Sequence, residues 1–263
     1  MRGTTPEAPV LLRRDGRIAE IILNRPAALN AMNLAWVTAL GRVVSEIAAD
    51  EGIDIVVVRG EGRAFCAGLD LTMMAESGMP PNFYPQQEAA FAALEALDRL
   101  VIAQVHGYCL GGGLQLAIAC DLRIASEDAV FALPAAQEGL FPGMAVWRLP
   151  RLVGLGRAMR LAVSGEQVSV AEALAMGLVD YVCPAADFAG AARAIVERYL
   201  AVPQTAARAT KRLMRTAFER DAASVYADSL PLLDRCLASP EVAAARAAWA
   251  RRPRRRSEPD RAD

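Results

Sequence analysis

The chain carries a single histidine and five cysteines in 263 residues. That scarcity excludes a zinc centre built on histidine or clustered cysteine. A Ser-His-Asp hydrolase would have to use His106, and no serine stands in the glycine-rich segments near it. The cysteines form no Cys-x-x-Cys pair, so they read as free thiols in a reducing compartment, the cytosol, rather than as a disulfide framework. No apolar run has the length needed to cross a bilayer, and Met1 to Pro9 lacks the apolar core of a secretion signal. Charge is balanced, with 29 Lys+Arg against 30 Asp+Glu and a net charge of -1. This argues against a general nucleic-acid binder. The glycine segments have neither the G-x-G-x-x-G spacing of a dinucleotide site nor the Gly-Lys-Ser/Thr of a phosphate loop.

What is present is apolar sequence, 54% of the chain. That is enough for a sizeable core in one large domain or a domain with an appendage. Two segments stand out. Residues 106–115 read His-Gly-Tyr-Cys-Leu-Gly-Gly-Gly-Leu-Gln after the apolar run 101–105. Residues 60–70 read Gly-Glu-Gly-Arg-Ala-Phe-Cys-Ala-Gly-Leu-Asp after the apolar run 55–58. In each, a strand ends in small residues and a helical stretch follows. Glycine there permits close approach of other atoms, and the first N–H groups of a helix have no intrahelical partner. One such junction is equally a tight turn. Two together can aim two N–H donors at one oxygen, the arrangement that stabilises an oxyanion in acyl chemistry.

Around these segments the patterns alternate. Val10 to Leu23 reads as a hairpin turning at Asp15-Gly16. Asn30 or Asn33 caps a helix running to about Ala49. Residues 54–59 form a strand. Pro80, Pro81 and Pro85 mark a break, and residues 88–100 have helical periodicity. A strand over 101–105, the glycine-opened helix and short strands over 122–125 and 130–133 follow. After about Phe188 only helical patterns remain, separated by Pro203 and Pro240. The class is α/β.

Asn24-Arg25-Pro26 with Asn30-Ala31-Met32, Ala64 through Asp70, Val105 through Ala125, and Phe131 through Gly143 with Arg148 through Gly154 occur in one order. Together with Gly165-Glu166 and Ala171 through Val179, they resemble the crotonase superfamily, the enoyl-CoA hydratase/isomerase group. The resemblance runs from about residue 10 to about 250. It implies a ClpP/crotonase-type spiral of ββα turns over residues 1–190, which holds an acyl-CoA site. It implies a helical C-terminal region over 191–250 that mediates a homotrimer or a dimer of trimers. Residues 251–263 remain as a basic tail. No cofactor is implied beyond coenzyme A as part of the substrate, and no metal, nucleic acid or membrane partner.

By the same resemblance, the backbone N–H groups of Leu69 and Gly112 grip the thioester carbonyl as an enolate forms. Ala64, Ala67 and Gly68 lie along the CoA adenine and pantetheine, Leu69, Asp70, Gly111 and Gly112 are further substrate- or CoA-binding residues, and Arg25 approaches the CoA phosphates. Near the C-terminus, Trp249, Arg251 and Arg252 stand where relatives touch a neighbour's CoA.

The two hydratase glutamates are the departure. Their positions hold Gln115 and Ala135. Glutamine can hydrogen-bond but cannot exchange a proton near neutral pH, and alanine can do neither. Losing a positioned acid or base costs about 10²–10⁴ in rate for each role. Standard hydration is therefore disfavoured, whereas isomerisation needs only one base. Glu138, three residues after Ala135, shares its face if the segment is helical; Glu76 is a second candidate. His106 reads as structural, and Cys66 and Cys109 as packing residues. Met73, Met74, Phe83, Tyr84, Phe141, Met144 and Trp147 are candidates for an apolar acyl pocket, or for core. Gln115 and the segment 133–143 are also similar to a cofactor-free dioxygenase subgroup. Two readings stand at this point: an acyl-CoA enzyme with altered proton chemistry, isomerase or other enolate reaction, and a non-catalytic acyl-CoA binder on the same fold.

Overall fold

The computed structural model describes residues 8–251. They fall into two compact units, one reaching to Ala201 and one beginning at Val202. Arg252 and the rest of the tail lie outside the described residues.

The first unit opens with β1 (Val10–Asp15) and β2 (Ile18–Leu23), paired antiparallel. Asp15 pairs with Ile18, so the turn is Gly16-Arg17, one residue later than the sequence suggested. Gly16 supplies the positive φ of 59° that a two-residue hairpin turn demands. Helix α1 (Leu34–Ala49) is capped by Asn33, whose side chain accepts from the Trp36 N–H at 2.9 Å. Its stripe of Trp36, Val37, Leu40, Val43, Val44 and Ile47 is buried, each side chain worth roughly 1.5–3 kcal/mol of transfer free energy.

The next elements repeat a pattern. Strands β3 (Ile55–Gly60) and β4 (Ala64–Cys66) precede α2 (Leu71–Ser77) and α3 (Phe83–Ala96). Strands β5 (Leu100–Val105) and β6 (Tyr108–Leu110) precede α4 (Gly112–Ala119). Strands β7 (Leu122–Ser126) and β8 (Val130–Ala132) precede α5 (Ala145–Val153) and α6 (Leu155–Ser164). Then β9 (Val168–Ser169), α7 (Val170–Ala175), β10 (Tyr181–Cys183) and α8 (Phe188–Leu200) close the unit. The first strand of each repeat enters a six-stranded sheet, ordered β1-β2-β3-β5-β7-β10; the second enters a four-stranded sheet, ordered β4-β6-β8-β9. Pairing is parallel from β2 to β10 and from β4 to β8. The path is a spiral of ββα turns.

The large sheet is covered on both faces, as a parallel sheet requires. Val56 and Val58 join the main core with α1 and α3, whereas Ile55 and Val57 face Ala192 and Val196 of α8. Period-2 alternation along β3 thus serves two cores at once.

One helix differs from its expected span. The periodicity placed it over 88–100, but α3 runs Phe83–Ala96 and Leu100 already belongs to β5. Pro85 sits in the first turn of α3, where its missing N–H would have no intrahelical partner in any case.

The second unit consists of α9 (Gln204–Thr216), α10 (Ala222–Leu237) and α11 (Pro240–Ala250). Pro203 stands at the start of α9 and Pro240 is the first residue of α11. Among the described residues no helix is long and apolar enough to cross a membrane.

Candidate active site

Strands β4 and β6 are parallel neighbours, with Cys66 opposite Cys109. Adjacent strands lie about 4.8 Å apart, so the loops leaving their C-terminal ends must meet. The loop after β4 is Ala67-Gly68-Leu69; the loop after β6 is Gly111, which opens α4. Both bends use glycine at positive φ, 96° at Gly68 and 51° at Gly111. A Cβ on Gly68 would lie 2.8 Å from the Leu110 carbonyl oxygen and 3.1 Å from the Gly112 nitrogen. A Cβ on Gly113 would lie 2.2 Å from the Cys66 carbonyl oxygen. Glycine is therefore what lets α4 dock on the first loop.

The first loop is strapped by the segment before α1. The Met32 N–H donates to the Gly68 carbonyl at 2.7 Å and the Asp70 N–H to the Met32 carbonyl at 3.0 Å. Because residues 68 and 70 face Met32, the backbone groups of Leu69 between them turn the other way. Asn30, fully buried at a left-handed φ of 58°, donates to the Glu61 and Ala64 carbonyls, each at 2.9 Å, and accepts from the Arg25 N–H at 2.8 Å.

Leu69 and Gly112 line one cavity of about 120 Å³. It also takes in Ala67, Gly111, Gln115, Ala135 and Glu138, so most of the residues singled out from sequence converge there. Ala135 belongs to a 3₁₀ turn over Pro134–Ala136, and the Glu138 N–H bonds the Ala135 carbonyl at 3.1 Å. In that geometry residues three apart eclipse, which puts the exposed Glu138 at the rim of the cavity on the Ala135 side. Gln115 lies deeper, 7% exposed, and its Oε1 has no hydrogen-bond partner.

Other residues are placed elsewhere. Ala64 is fully buried in β4 and Gly68 is buried beneath the bend; neither lines the cavity. Arg25 and Asp70 also stand outside it, bound to each other at 2.9 Å. The remaining Arg25 Nη1 donates to the Ala31 carbonyl. Asp70 also caps α2, accepting from the Thr72 and Met73 N–H groups. Burial pushes the Asp70 carboxyl up, but the Arg25 guanidinium and these two N–H donors outweigh it and hold the group below its ordinary value. Glu76 is exposed on α2 and is not part of the lining.

His106 bonds the Gly62 carbonyl through Nε2 at 2.9 Å and packs its ring against Phe188. Cys66 is buried, and burial pushes its thiol up to about 12 against weaker opposition from the Gly68 N–H and Arg25. Burial likewise raises Cys109 well above the usual thiol range. Neither is a nucleophile in this state.

Of the apolar candidates, Phe83, Tyr84 and Phe141 line the cavity and Met73, Met74, Met144 and Trp147 do not. Met32, Leu71, Met79, Pro134 and Leu140 add to the apolar part. Gln87 also lines it and is 6% exposed; the sequence reading passed over it. The signal was available: Gln87 lies on the buried stripe of α3 with Phe83, Ala90, Phe91 and Leu94, and glutamine is rarely buried without a reason.

Residues 13–252 match the family model described as enoyl-CoA hydratase/isomerase. The short-chain-enoyl-CoA hydratase of Clostridium acetobutylicum is 34% identical over 216 residues, covering 81% of this chain and 83% of that protein. Among solved structures, an enoyl-CoA hydratase of Mycobacterium smegmatis superposes with a TM-score of 0.86 at 33% identity, covering 93% of this chain and 96% of that one. A Thermobifida fusca structure described as a putative enoyl-CoA hydratase, solved with acetoacetyl-CoA, gives a TM-score of 0.81 at 34% identity over 88% of this chain and 95% of that one.

Proposed function

The chain belongs to the enoyl-CoA hydratase/isomerase family and is an enzyme of it, and on that premise we propose that it isomerises the double bond of an enoyl-CoA thioester, or runs a related enolate reaction. The observation that carries this reading is the convergence of Leu69, Gly112, Gln115, Ala135 and Glu138 on one cavity. The thioester oxygen accepts from the Leu69 and Gly112 N–H groups. Glu138 removes a proton from the carbon chain, and the electron pair moves toward the oxygen as the enolate. The same carboxyl returns the proton to a different carbon, so the double bond moves and nothing is added. Hydration would instead need a second proton-exchanging group, which Gln115 and Ala135 do not supply.

Coenzyme A enters only as part of the substrate. The relative solved with acetoacetyl-CoA supports a thioester ligand. Arg25 reaches the CoA phosphates only by sharing its charge with Asp70. The free thiols of all five cysteines suit the reducing cytosol. We read the assembly as a homotrimer or a dimer of trimers. Exposed Met214, Phe218, Leu233 and Leu237 on α9, α10 and the turn between them fit a protein interface, and light scattering would give the mass.

The test is a panel of enoyl-CoA thioesters assayed in D₂O. Double-bond migration is expected, with the substrate's own proton carried to the new carbon and deuterium entering only where the exposed Glu138 exchanges with solvent between the two transfers, and the rate falls by about 10²–10⁴ in Glu138→Gln. Rapid hydration of crotonyl-CoA that survives Glu138→Gln would overturn the assignment.

A further inference from the structure

The guanidinium of Arg25 is turned into the fold. Its Nη2 lies 2.9 Å from the Asp70 carboxylate, and its Nη1 donates to the Ala31 carbonyl. The backbone of the same residue is held as well. Its N–H donates to the Asn30 side chain at 2.8 Å, and its carbonyl accepts from the Ala28 and Asn30 N–H groups at 3.0 and 2.9 Å. The other Asp70 oxygen accepts from the Thr72 and Met73 N–H groups at 3.1 and 3.2 Å. The two side chains are 23% and 13% exposed. A loose surface ion pair does little, but this one is anchored at both ends.

What the pair joins gives it a role. Ala31 and Met32 belong to the strap before α1, and Met32 forms a parallel bridge with Leu69. Backbone bonds tie Met32 to Gly68 and Asp70. Arg25 spans the same junction with its side chain, from the Ala31 carbonyl on the strap to the carboxylate of the residue after Leu69. Among the described residues, the Leu69 N–H donates to no protein acceptor. A free donor between tied neighbours is a preorganised one, able to meet a developing oxyanion without rearrangement. A phosphate-binding arginine instead presents its fork to the ligand. Here both terminal nitrogens face protein, and a carboxylate already neutralises the charge.

We propose that Arg25 is a positioning residue for the oxyanion site. Through Asp70 and the Ala31 carbonyl it fixes the Leu69 N–H, and this, rather than a grip on the CoA phosphates, is its main contribution. The proposal rests on the enolate reading above and adds the device that holds one of its two donors.

Kinetics with vinylacetyl-CoA and with vinylacetyl-pantetheine, which lacks the CoA phosphates, test it. Migration of the double bond into conjugation gives both the enoyl absorbance. Arg25→Met is expected to lower kcat by about 10-fold or more, since a misplaced group costs up to about 10²-fold. KM should change little, and the factor should be the same for both thioesters. Asp70→Asn keeps a good cap on α2 but weakens the ion pair, so it too should lower kcat. The double variant should be no worse than the poorer single one. Butyryl-CoA labelled at its carbonyl carbon gives a readout without turnover. Its infrared carbonyl band, lowered on binding by the two N–H donors, should move back toward the solution position in Arg25→Met. An increase of KM for the CoA thioester alone in Arg25→Met would make Arg25 a phosphate ligand. So would tighter binding of that thioester in Asp70→Asn, where the guanidinium is released. Either result, or an unchanged kcat and carbonyl band in Arg25→Met, overturns the proposal and leaves the enolate reading standing. If Arg25→Met does not fold, Asp70→Asn carries the test, because the two roles give it opposite effects. A folded parent that turns over neither thioester overturns the enolate reading, and the role of Arg25 falls with it.

Discussion

At the scale of single residues, glutamine and alanine stand at positions 115 and 135 beside the two glycine-flanked bends of Leu69 and Gly112. Gln115 and Ala135 line the cavity that Leu69 and Gly112 border, so carboxylates placed there would face the same space. Gln115→Glu combined with Ala135→Glu is expected to raise crotonyl-CoA hydration by about 10²-fold or more over the parent, followed by loss of the enoyl absorbance. An unchanged rate would show that the two positions do not address the substrate together. Gly113 makes the opposite point about a residue with no chemistry. Alanine in a helix normally gains up to ~1 kcal/mol over glycine, but here its Cβ would lie 2.2 Å from the Cys66 carbonyl oxygen. Overpacking of this kind costs about 1–3 kcal/mol, so Gly113→Ala should lower the melting temperature despite the better propensity. A melting temperature at or above the parent's would contradict the close docking of α4 on the first loop.

At the scale of elements, the site depends on how neighbouring segments are tied. Asn30 holds the strap that positions Leu69, with its side chain joined to Arg25, Glu61 and Ala64. Asn30→Ala removes three hydrogen bonds, one from the Arg25 N–H and two to the Glu61 and Ala64 carbonyls. The expected loss is about 3 kcal/mol, read from urea unfolding, with activity falling in the surviving folded fraction. Retention of both would mean that the strap is held by its backbone bonds alone. Asn30 was legible only as one of two candidate helix caps, because a cap and a buried bracket use the same asparagine. Asn33 took the cap, and Asn30, at positive φ, took the bracket. The early start of α3 was missed for a similar reason: proline breaks a helix interior but is tolerated in a first turn, and sequence periodicity does not say which turn Pro85 occupies.

At the scale of the whole molecule, acid is the expected weakness. Glu20 and Asp70 both sit below their ordinary values. Burial raises each, but arginine partners outweigh it: Arg13 and Arg59 for Glu20, and Arg25 with two N–H donors for Asp70. A carboxyl depressed in the folded state contributes stability that is complete above its unfolded value of about 4. That contribution is lost as pH falls through the lower folded value. Unfolding followed from pH 7 to pH 2 should show stability dropping below about pH 4, with a smaller drop in Asp70→Asn. An identical acid profile for that variant would remove the Arg25–Asp70 pair from the account.

The sequence by itself determined the α/β class, the two glycine-flanked bends, a helix opened by Asn30 or Asn33, and a glutamine and an alanine at positions 115 and 135, because each is a property of neighbouring residues in the chain. Only the tertiary structure decided that Gly68 and Gly112 touch, that the path is a spiral across two sheets, and that Gln87 opens on the same cavity as Gln115. Those facts follow from β4 pairing with β6 and from α3 packing beside α4. Such contacts join segments far apart in the chain, and their cost in loop closure and gain in burial leave no mark on the local pattern of either partner.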